Sequence, residues 1–142
     1  ASQVNWYYQT DGYWDANDVA ISNVVSLDCA SSVFAADLDG DGDIDVLTTS
    51  FDDNEIGWSQ NLGSTATSWT HYVISTAENG PRSAFAVDID SAGDMDILSA
   101  SSGDGTIALY ESDGAGSWAR NVITSTADGA RSVIAIDLNG AA

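Results

Sequence analysis

Short apolar runs, separated by turns rich in Gly, Asn, Asp and Ser, recur along this chain. Their spacing of about 8–12 residues is typical of strands in an antiparallel meander. The run Ala84–Val87 is apolar at every position, which predicts a strand that is covered on both faces. Val133–Ile136 has the same character, and no amphipathic helical period of convincing length is present. The pattern therefore predicts an all-β protein.

The strand pattern belongs to an internal repeat. Trp69–Asp88 (WTHYVISTAENGPRSAFAVD) returns 49 residues later as Trp118–Asp137 (WARNVITSTADGARSVIAID). One unit earlier, Ser31–Ser50 aligns with Arg82–Ser101 at an offset of 51 residues. A four-stranded unit that recurs every ~40–50 residues is typical of a β-propeller blade. The repeat therefore predicts blades that are each a four-stranded antiparallel sheet.

Each complete unit is predicted to contain an apolar first strand and three further strands. The predicted second, third and fourth strands are Asp45–Ser50 and Asp96–Ala100, Ile56–Gln60 and Ile107–Glu111, and Trp69–Ser75 and Trp118–Thr124. The whole chain is interpreted as a single propeller module over residues 1–142. It is divided into a partial blade at 1–29, blades at 30–77 and 78–126, and a partial blade at 127–142.

About three blades are too few to close a propeller ring, which typically needs roughly four to eight. An open array would expose apolar blade faces and unpaired strand edges. We therefore expect the ring to be closed either by self-association of several chains or by sequence that is missing from this one.

The charge of the chain narrows the choice of partners. Its 142 residues include 22 Asp and Glu against 3 Lys and Arg, for a formal net charge of -19. Nucleic acids and anionic membrane surfaces need basic residues, so we expect neither as a partner. No run approaches the ~20 apolar residues that cross a bilayer, so membrane insertion is not expected. The acidity favours cations.

The sharpest motif is the nine-residue segment Asp37–Asp45, DLDGDGDID, which holds five carboxylates. Such crowding is repulsive unless a cation neutralises it. Calcium prefers about 6–8 oxygen ligands, and Gly40 and Gly42 allow the positive φ angles that a tight loop requires. The predicted metal residues are Asp37, Asp39, Asp41, Asp43 through its backbone carbonyl, and Asp45.

Other metal sites fit this segment less well. Magnesium prefers to keep several waters in a near-ideal octahedron, and zinc prefers His and Cys, which the loop lacks. An EF-hand requires a Glu at position 12, where this chain has Thr48. We therefore expect Ca²⁺ as the cofactor.

A second copy of the loop spans Asp88–Asp96, but its fifth position is Ala92. We expect this copy to bind metal more weakly. Its predicted metal residues are Asp88, Asp90, Asp94 and Asp96.

The segment DLDGDGDIDVL is followed by a strand that contains Trp or Tyr and by a Gly-rich turn. This arrangement resembles the FG-GAP or VCBS repeat, which also forms the calcium-binding blades of integrin α-chain propellers. The resemblance extends from Val4 to Gly140. The family pattern DxDxDGxxD falls on Asp37, Asp39, Asp41, Gly42 and Asp45. The resemblance implies a propeller whose calcium loop connects the first strand of a blade to the second, in an extracellular or cell-surface protein.

The first functional hypothesis is therefore a non-enzymatic propeller module of a secreted or surface protein, stabilised by calcium. We expect the module to serve binding or assembly, and its expected partner is another copy of the same chain. One alternative is a lectin-like propeller that binds carbohydrate in clefts between blades or at the ring face. Another is a scaffold fragment of a larger polysaccharide-active enzyme, although no residue pattern identifies a catalytic group.

Several single residues carry further expectations. Trp69 and Trp118 occupy equivalent repeat positions, which favours packing over sugar stacking. Arg82 is expected to pair with a carboxylate of an adjacent blade. His71, the only histidine, is interpreted as a surface residue, and Cys29 as a buried small side chain.

Overall fold

The structure is a computed structural model that describes residues 4–6, 9–10, 13–14, 19–20, 27–63 and 68–136, with side chains for residues 4, 27–63 and 68–136. Every regular element within these residues is a β-strand, which confirms the all-β prediction. The strands are β1 (Asn5–Trp6), β2 (Gln9–Thr10), β3 (Tyr13–Trp14), β4 (Val19–Ala20), β5 (Ala30–Ala36), β6 (Asp45–Ser50), β7 (Glu55–Asn61), β8 (Trp69–Ser75), β9 (Pro81–Val87), β10 (Asp96–Ser101), β11 (Thr106–Ser112) and β12 (Trp118–Thr124).

Eight of these strands form two antiparallel sheets of four strands, ordered β5-β6-β7-β8 and β9-β10-β11-β12. Each sheet is a simple meander in which strands that are adjacent in sequence are also adjacent in space. The predicted second, third and fourth strands agree with the observed ones to within one residue at each end. The four short strands form the pairs β1–β4 and β2–β3, and most of the predicted partial blade at 1–29 lies outside the described residues.

The second strand of each sheet is the most deeply buried, because every residue of β6 and β10 is buried. The sequence pattern instead predicted that the first strand of each blade is covered on both faces. The run Ala84–Val87, for which this was predicted, lies in β9 with Phe85 and Val87 only half-buried, and Val33 of the corresponding strand β5 is 61% exposed. The faces of a strand are covered by a neighbouring sheet rather than by hydrogen-bonded strands, and β5 meets the other sheet through β9. In β9, Ala84 and Ala86 are buried because this strand packs against β5 and β6 of the preceding sheet.

The core lies between the two sheets, and both contribute apolar residues to it. Trp58 contacts Trp118 edge to face, with ring centroids 5.9 Å apart, and Phe34 lies 4.9 Å from Phe85. Trp69 is also buried, as the repeat predicted. The buried members are Leu38, Leu47, Ile56, Trp58, Ala84, Ala86, Ile97, Ala108 and Tyr110.

The strand predicted at Val133–Ile136 does not form. Ile134 and Ile136 are 70% and 72% exposed, and the backbone N–H of Val133 donates to Ser83 Oγ at 3.4 Å. A strand requires a neighbour with which to exchange backbone hydrogen bonds, and no strand among the described residues pairs with this segment.

Candidate metal centre

The first acidic loop connects β5 to β6 and winds around the carboxylate of Asp37. The backbone N–H groups of Gly40 and Gly42 donate to the two oxygens of this carboxylate at 2.8 and 3.0 Å. Both glycines have positive φ angles, 77° and 94°, which favour a residue without a Cβ atom. The turn predicted from the glycine positions therefore forms.

Asp45 closes the loop from inside the protein, where it is fully buried. Its Oδ2 accepts the backbone N–H of Leu38 at 3.1 Å, and its Oδ1 accepts that of Asn61 at 2.8 Å. Burial raises the pKa of Asp45 to about 6, although the two backbone hydrogen bonds oppose the rise. A nearby cation would favour the ionised carboxylate.

Three of the five predicted metal residues bring their carboxylates together. One oxygen from each of Asp37, Asp39 and Asp45 lies within 4.8 Å of the others. Asp41 and Asp43 lie outside this cluster, and Asp41 Oδ1 accepts the backbone N–H of Asp43 at 2.8 Å. Oxygen donors alone make the cluster chemically suited to a hard cation such as Ca²⁺.

Two neighbours of this cluster were missed by sequence reasoning. The side-chain amide of Gln60 donates to Asp39 Oδ2, and the backbone N–H of Asn61 donates to Asp45. Both residues lie at the end of β7, beyond the nine-residue motif. A backbone donor carries no side-chain signal, so the repeat could not reveal the role of Asn61.

The second loop repeats this arrangement at the start of β10. Asp96 is buried and accepts the backbone N–H groups of Ile89 at 3.1 Å and Ser112 at 2.8 Å. An oxygen from each of Asp88, Asp90 and Asp96 again lies within 4.8 Å of the others. The predicted residue Asp94 lies outside this group. The alanine at position 5 therefore does not prevent the loop from winding.

One oxygen in the second loop lacks any partner. Asp88 Oδ2 accepts the backbone N–H of Gly93 at 3.0 Å, whereas Asp88 Oδ1 is buried and has no hydrogen-bond partner among the described residues. A buried acceptor without a donor is unfavourable. Within residues 27–63 and 68–136, no Arg or His forms a salt bridge with either acidic cluster.

His71 and Cys29 differ from their predicted environments. The His71 side chain is only 8% exposed, and its ring bonds Ser59 Oγ at 3.1 Å and Glu55 Oε1 at 2.9 Å. Cross-strand pairing of β7 with β8 places His71 opposite Ser59, which the sequence spacing could not indicate. Cys29 is exposed, since it lies in a bend with a φ of 60° before β5.

Arg82 pairs with an aromatic ring rather than a carboxylate. Its guanidinium lies 3.9 Å from the ring centre of Phe51, and its Nε donates to Ser102 Oγ at 3.2 Å. The predicted carboxylate pairing was therefore wrong. The contact with Phe51 is a cation–π interaction between the two sheets.

A buried acid that sequence reasoning missed lies in the connection between β8 and β9, against the second sheet. Glu78 is 1% exposed and accepts hydrogen bonds from Tyr110 Oη at 2.5 Å and Arg120 Nε at 2.6 Å. Burial, followed by the hydrogen bond to Glu78, raises the pKa of Tyr110 to about 12. The same carboxylate raises the pKa of Arg120 above its ordinary value.

Two four-stranded antiparallel meanders, each with a wound acidic loop between its first and second strands, define a protein of the β-propeller class. A model of the FG-GAP-like repeat matches residues 37–99 and 88–140, which together span more than half of the chain. The chain therefore belongs to the FG-GAP-like repeat family, whose repeats form propellers, often bind Ca²⁺ and are typically non-enzymatic modules for binding or assembly.

No curated protein and no solved structure gave a significant match. FG-GAP repeats are typical of extracellular and surface proteins. Among the described residues, no helix is long and apolar enough to cross a membrane.

Proposed function

We propose that the chain is a calcium-binding propeller module in which the ion has a structural role. The observation that carries this proposal is the cluster of Asp37, Asp39 and the fully buried Asp45, whose oxygens lie within 4.8 Å of one another. An ion held there would neutralise repelling charges at the connection between β5 and β6. Because Asp45 also bonds the end of β7, the ion would strengthen three strands at once.

The second loop is proposed as a weaker site, held by Asp88, Asp90 and Asp96. Its orphaned acceptor, Asp88 Oδ1, supports this assignment, because a bound cation would satisfy that buried oxygen. Position 5 would supply a carboxylate in the first loop through Asp41, but not in the second, where Ala92 stands.

We propose a non-catalytic role in an extracellular or cell-surface protein. The one described arrangement of Ser, His and an acid is Ser59–His71–Glu55, and Ser59 is only 1% exposed, so its hydroxyl cannot reach a substrate. The extracellular assignment is supported by the family, whose repeats are typical of extracellular and surface proteins.

Thermal unfolding with excess Ca²⁺ and with EGTA tests the metal site. Ca²⁺ is expected to raise the midpoint, because an ion that binds only the folded state stabilises it. Asp39→Asn should abolish most of that rise. Asp43→Asn is the matched control, because only the backbone carbonyl of Asp43 is assigned to the metal. Equal midpoints in Ca²⁺ and EGTA for the unaltered chain would contradict the proposal.

We also propose that a second copy of the chain covers the exposed segment at 130–136. Ile134 and Ile136 are 70% and 72% exposed there, which is unfavourable for neighbouring apolar side chains in water. Light scattering at several concentrations is expected to give a mass above that of one chain. Ile134→Asp should lower that mass, whereas a single-chain mass for the unaltered protein at every concentration would contradict self-association.

A further inference from the structure

A cleft of about 980 Å³ lies between the two sheets, beside both acidic loops. Its walls come from Trp58 and Tyr72 of the first sheet and Trp118 of the second. Asp39, Gln60 and Asp113 add polar groups. Ligand sites commonly occupy clefts of roughly 300–1,000 Å³ that combine aromatic walls with a few polar groups.

The aromatic wall is rigid and partly open to solvent. Tyr72 stacks on Trp58 with ring centroids 5.2 Å apart and planes inclined by 25°, and Trp58 is 4% exposed. Tyr72 itself is 45% exposed. Trp118 contacts the edge of Trp58, and its indole N–H donates to the backbone oxygen of Met95 at 3.3 Å. Packing from behind therefore fixes the rings before any ligand arrives.

The polar groups of the cleft are held as well. Asp113 Oδ1 accepts the backbone N–H groups of Ala115 at 2.9 Å and Ser117 at 3.0 Å. The side-chain amide of Gln60 bonds Asp39. Carboxylate oxygens accept hydrogen bonds from hydroxyl groups, and the acids that line the cleft disfavour phosphates and other anions.

We propose that this cleft binds a neutral saccharide, with the C–H face of a sugar ring packed on Tyr72 and Trp118 and its hydroxyl groups bonded to the lining carboxylates. A saccharide combines an apolar face with many hydroxyl donors, which matches aromatic rings beside acceptors. The proposal rests on the proposed calcium site in one respect: Asp37 and Asp39 line the cleft, and a bound ion would neutralise them. With Asp37 and Asp39 neutralised, only Asp94 and Asp113 would remain charged along the cleft, which weakens its attraction for an organic cation relative to a neutral ligand.

The test is an array of neutral and acidic glycans probed with the full chain in saturating Ca²⁺, followed by calorimetric titration of any glycan retained. Neutral glycans are expected to bind. Tyr72→Ala should weaken binding by about tenfold or more, whereas Tyr72→Phe should preserve it. Val73→Ala is the matched control, because Val73 is the next residue of β8, is 54% exposed and does not line the cleft.

A blocking variant separates the cleft from other surfaces. Ala115 is exposed and lines the cleft, so Ala115→Trp should obstruct part of it and weaken glycan binding without changing the melting temperature. Spermidine and tetramethylammonium, titrated in parallel, test the cationic alternative. Binding of these cations that depends on Tyr72, without binding of any neutral glycan, would overturn the proposal.

Calcium is titrated calorimetrically in the same samples, so that the two proposals fail separately. Calcium binding without retention of any neutral glycan would overturn the saccharide site alone. Glycan binding that is equal in Ca²⁺ and EGTA would support the cleft but contradict its coupling to the metal.

Discussion

The carboxylate of Asp45 accepts a 2.8 Å hydrogen bond from the backbone N–H of Asn61, which ties the start of β6 to the end of β7. Asp96 and Ser112 repeat this bond, also at 2.8 Å, in the second sheet. The acid at the ninth position of each loop therefore accepts a structural hydrogen bond from the backbone, in addition to its proposed role in metal binding. Its effects on stability and on metal binding can be measured separately.

Asp45→Ala is expected to lower the free energy of unfolding in EGTA by about 2–4 kcal/mol, because it leaves two buried N–H groups without an acceptor. Urea denaturation measures this change without a contribution from metal. Asp43→Ala alters a partly exposed acid two residues earlier and should stay within about 0.5 kcal/mol of the unaltered chain. Similar losses for the two variants would show that the hydrogen bonds of Asp45 are unimportant.

Ala92→Asp is expected to raise the calcium affinity of the second loop by about tenfold, because it adds a carboxylate ligand at position 5. The reciprocal change, Asp41→Ala, should weaken the first loop. Calorimetric titration resolves both effects. If neither variant changes the calcium affinity, the fifth position supplies no ligand. That result would agree with the position of Asp41 outside the carboxylate cluster.

Gly57→Ala is expected to destabilise the first sheet by about 1–3 kcal/mol, because a Cβ atom at this position would lie 2.6 Å from His71 Cε1. His71→Ala removes the obstructing ring. The double variant should therefore recover part of the loss, and a double-mutant cycle in urea measures the coupling. Strict additivity would mean that the His71 ring moves aside without cost.

Tyr110 is expected to ionise near pH 12, because burial and the Glu78 carboxylate disfavour the phenolate. The ordinary pKa of a tyrosine is about 10, so the folded state holds this proton more tightly than the unfolded state. The resulting stabilisation is fully present below about pH 10 and is lost as the pH rises to about 12. Tyrosinate absorbance should contain a late component that is missing in Tyr110→Phe. Complete ionisation of the folded protein near pH 10 would contradict the assignment.

Much of the fold could be predicted because its signals are local. Strand positions follow from apolar runs and turn residues, and the repeat sets the order of strands within each blade. The winding of the first loop follows from Gly40 and Gly42, which tolerate positive φ angles. The carboxylate spacing likewise identified Asp37, Asp39 and Asp45 as neighbours. These features depend on residues within about one loop or strand of each other.

The sequence by itself therefore determined the all-β architecture, the blade repeat and the acidic loops. Only the tertiary structure decided the partners of Asn61, His71 and Glu78, the exposure of Cys29, and the cleft between the sheets. Those partners depend on strand register and on which face of one sheet meets the next. Register and sheet packing join residues that are distant in the sequence, so no local pattern encodes them.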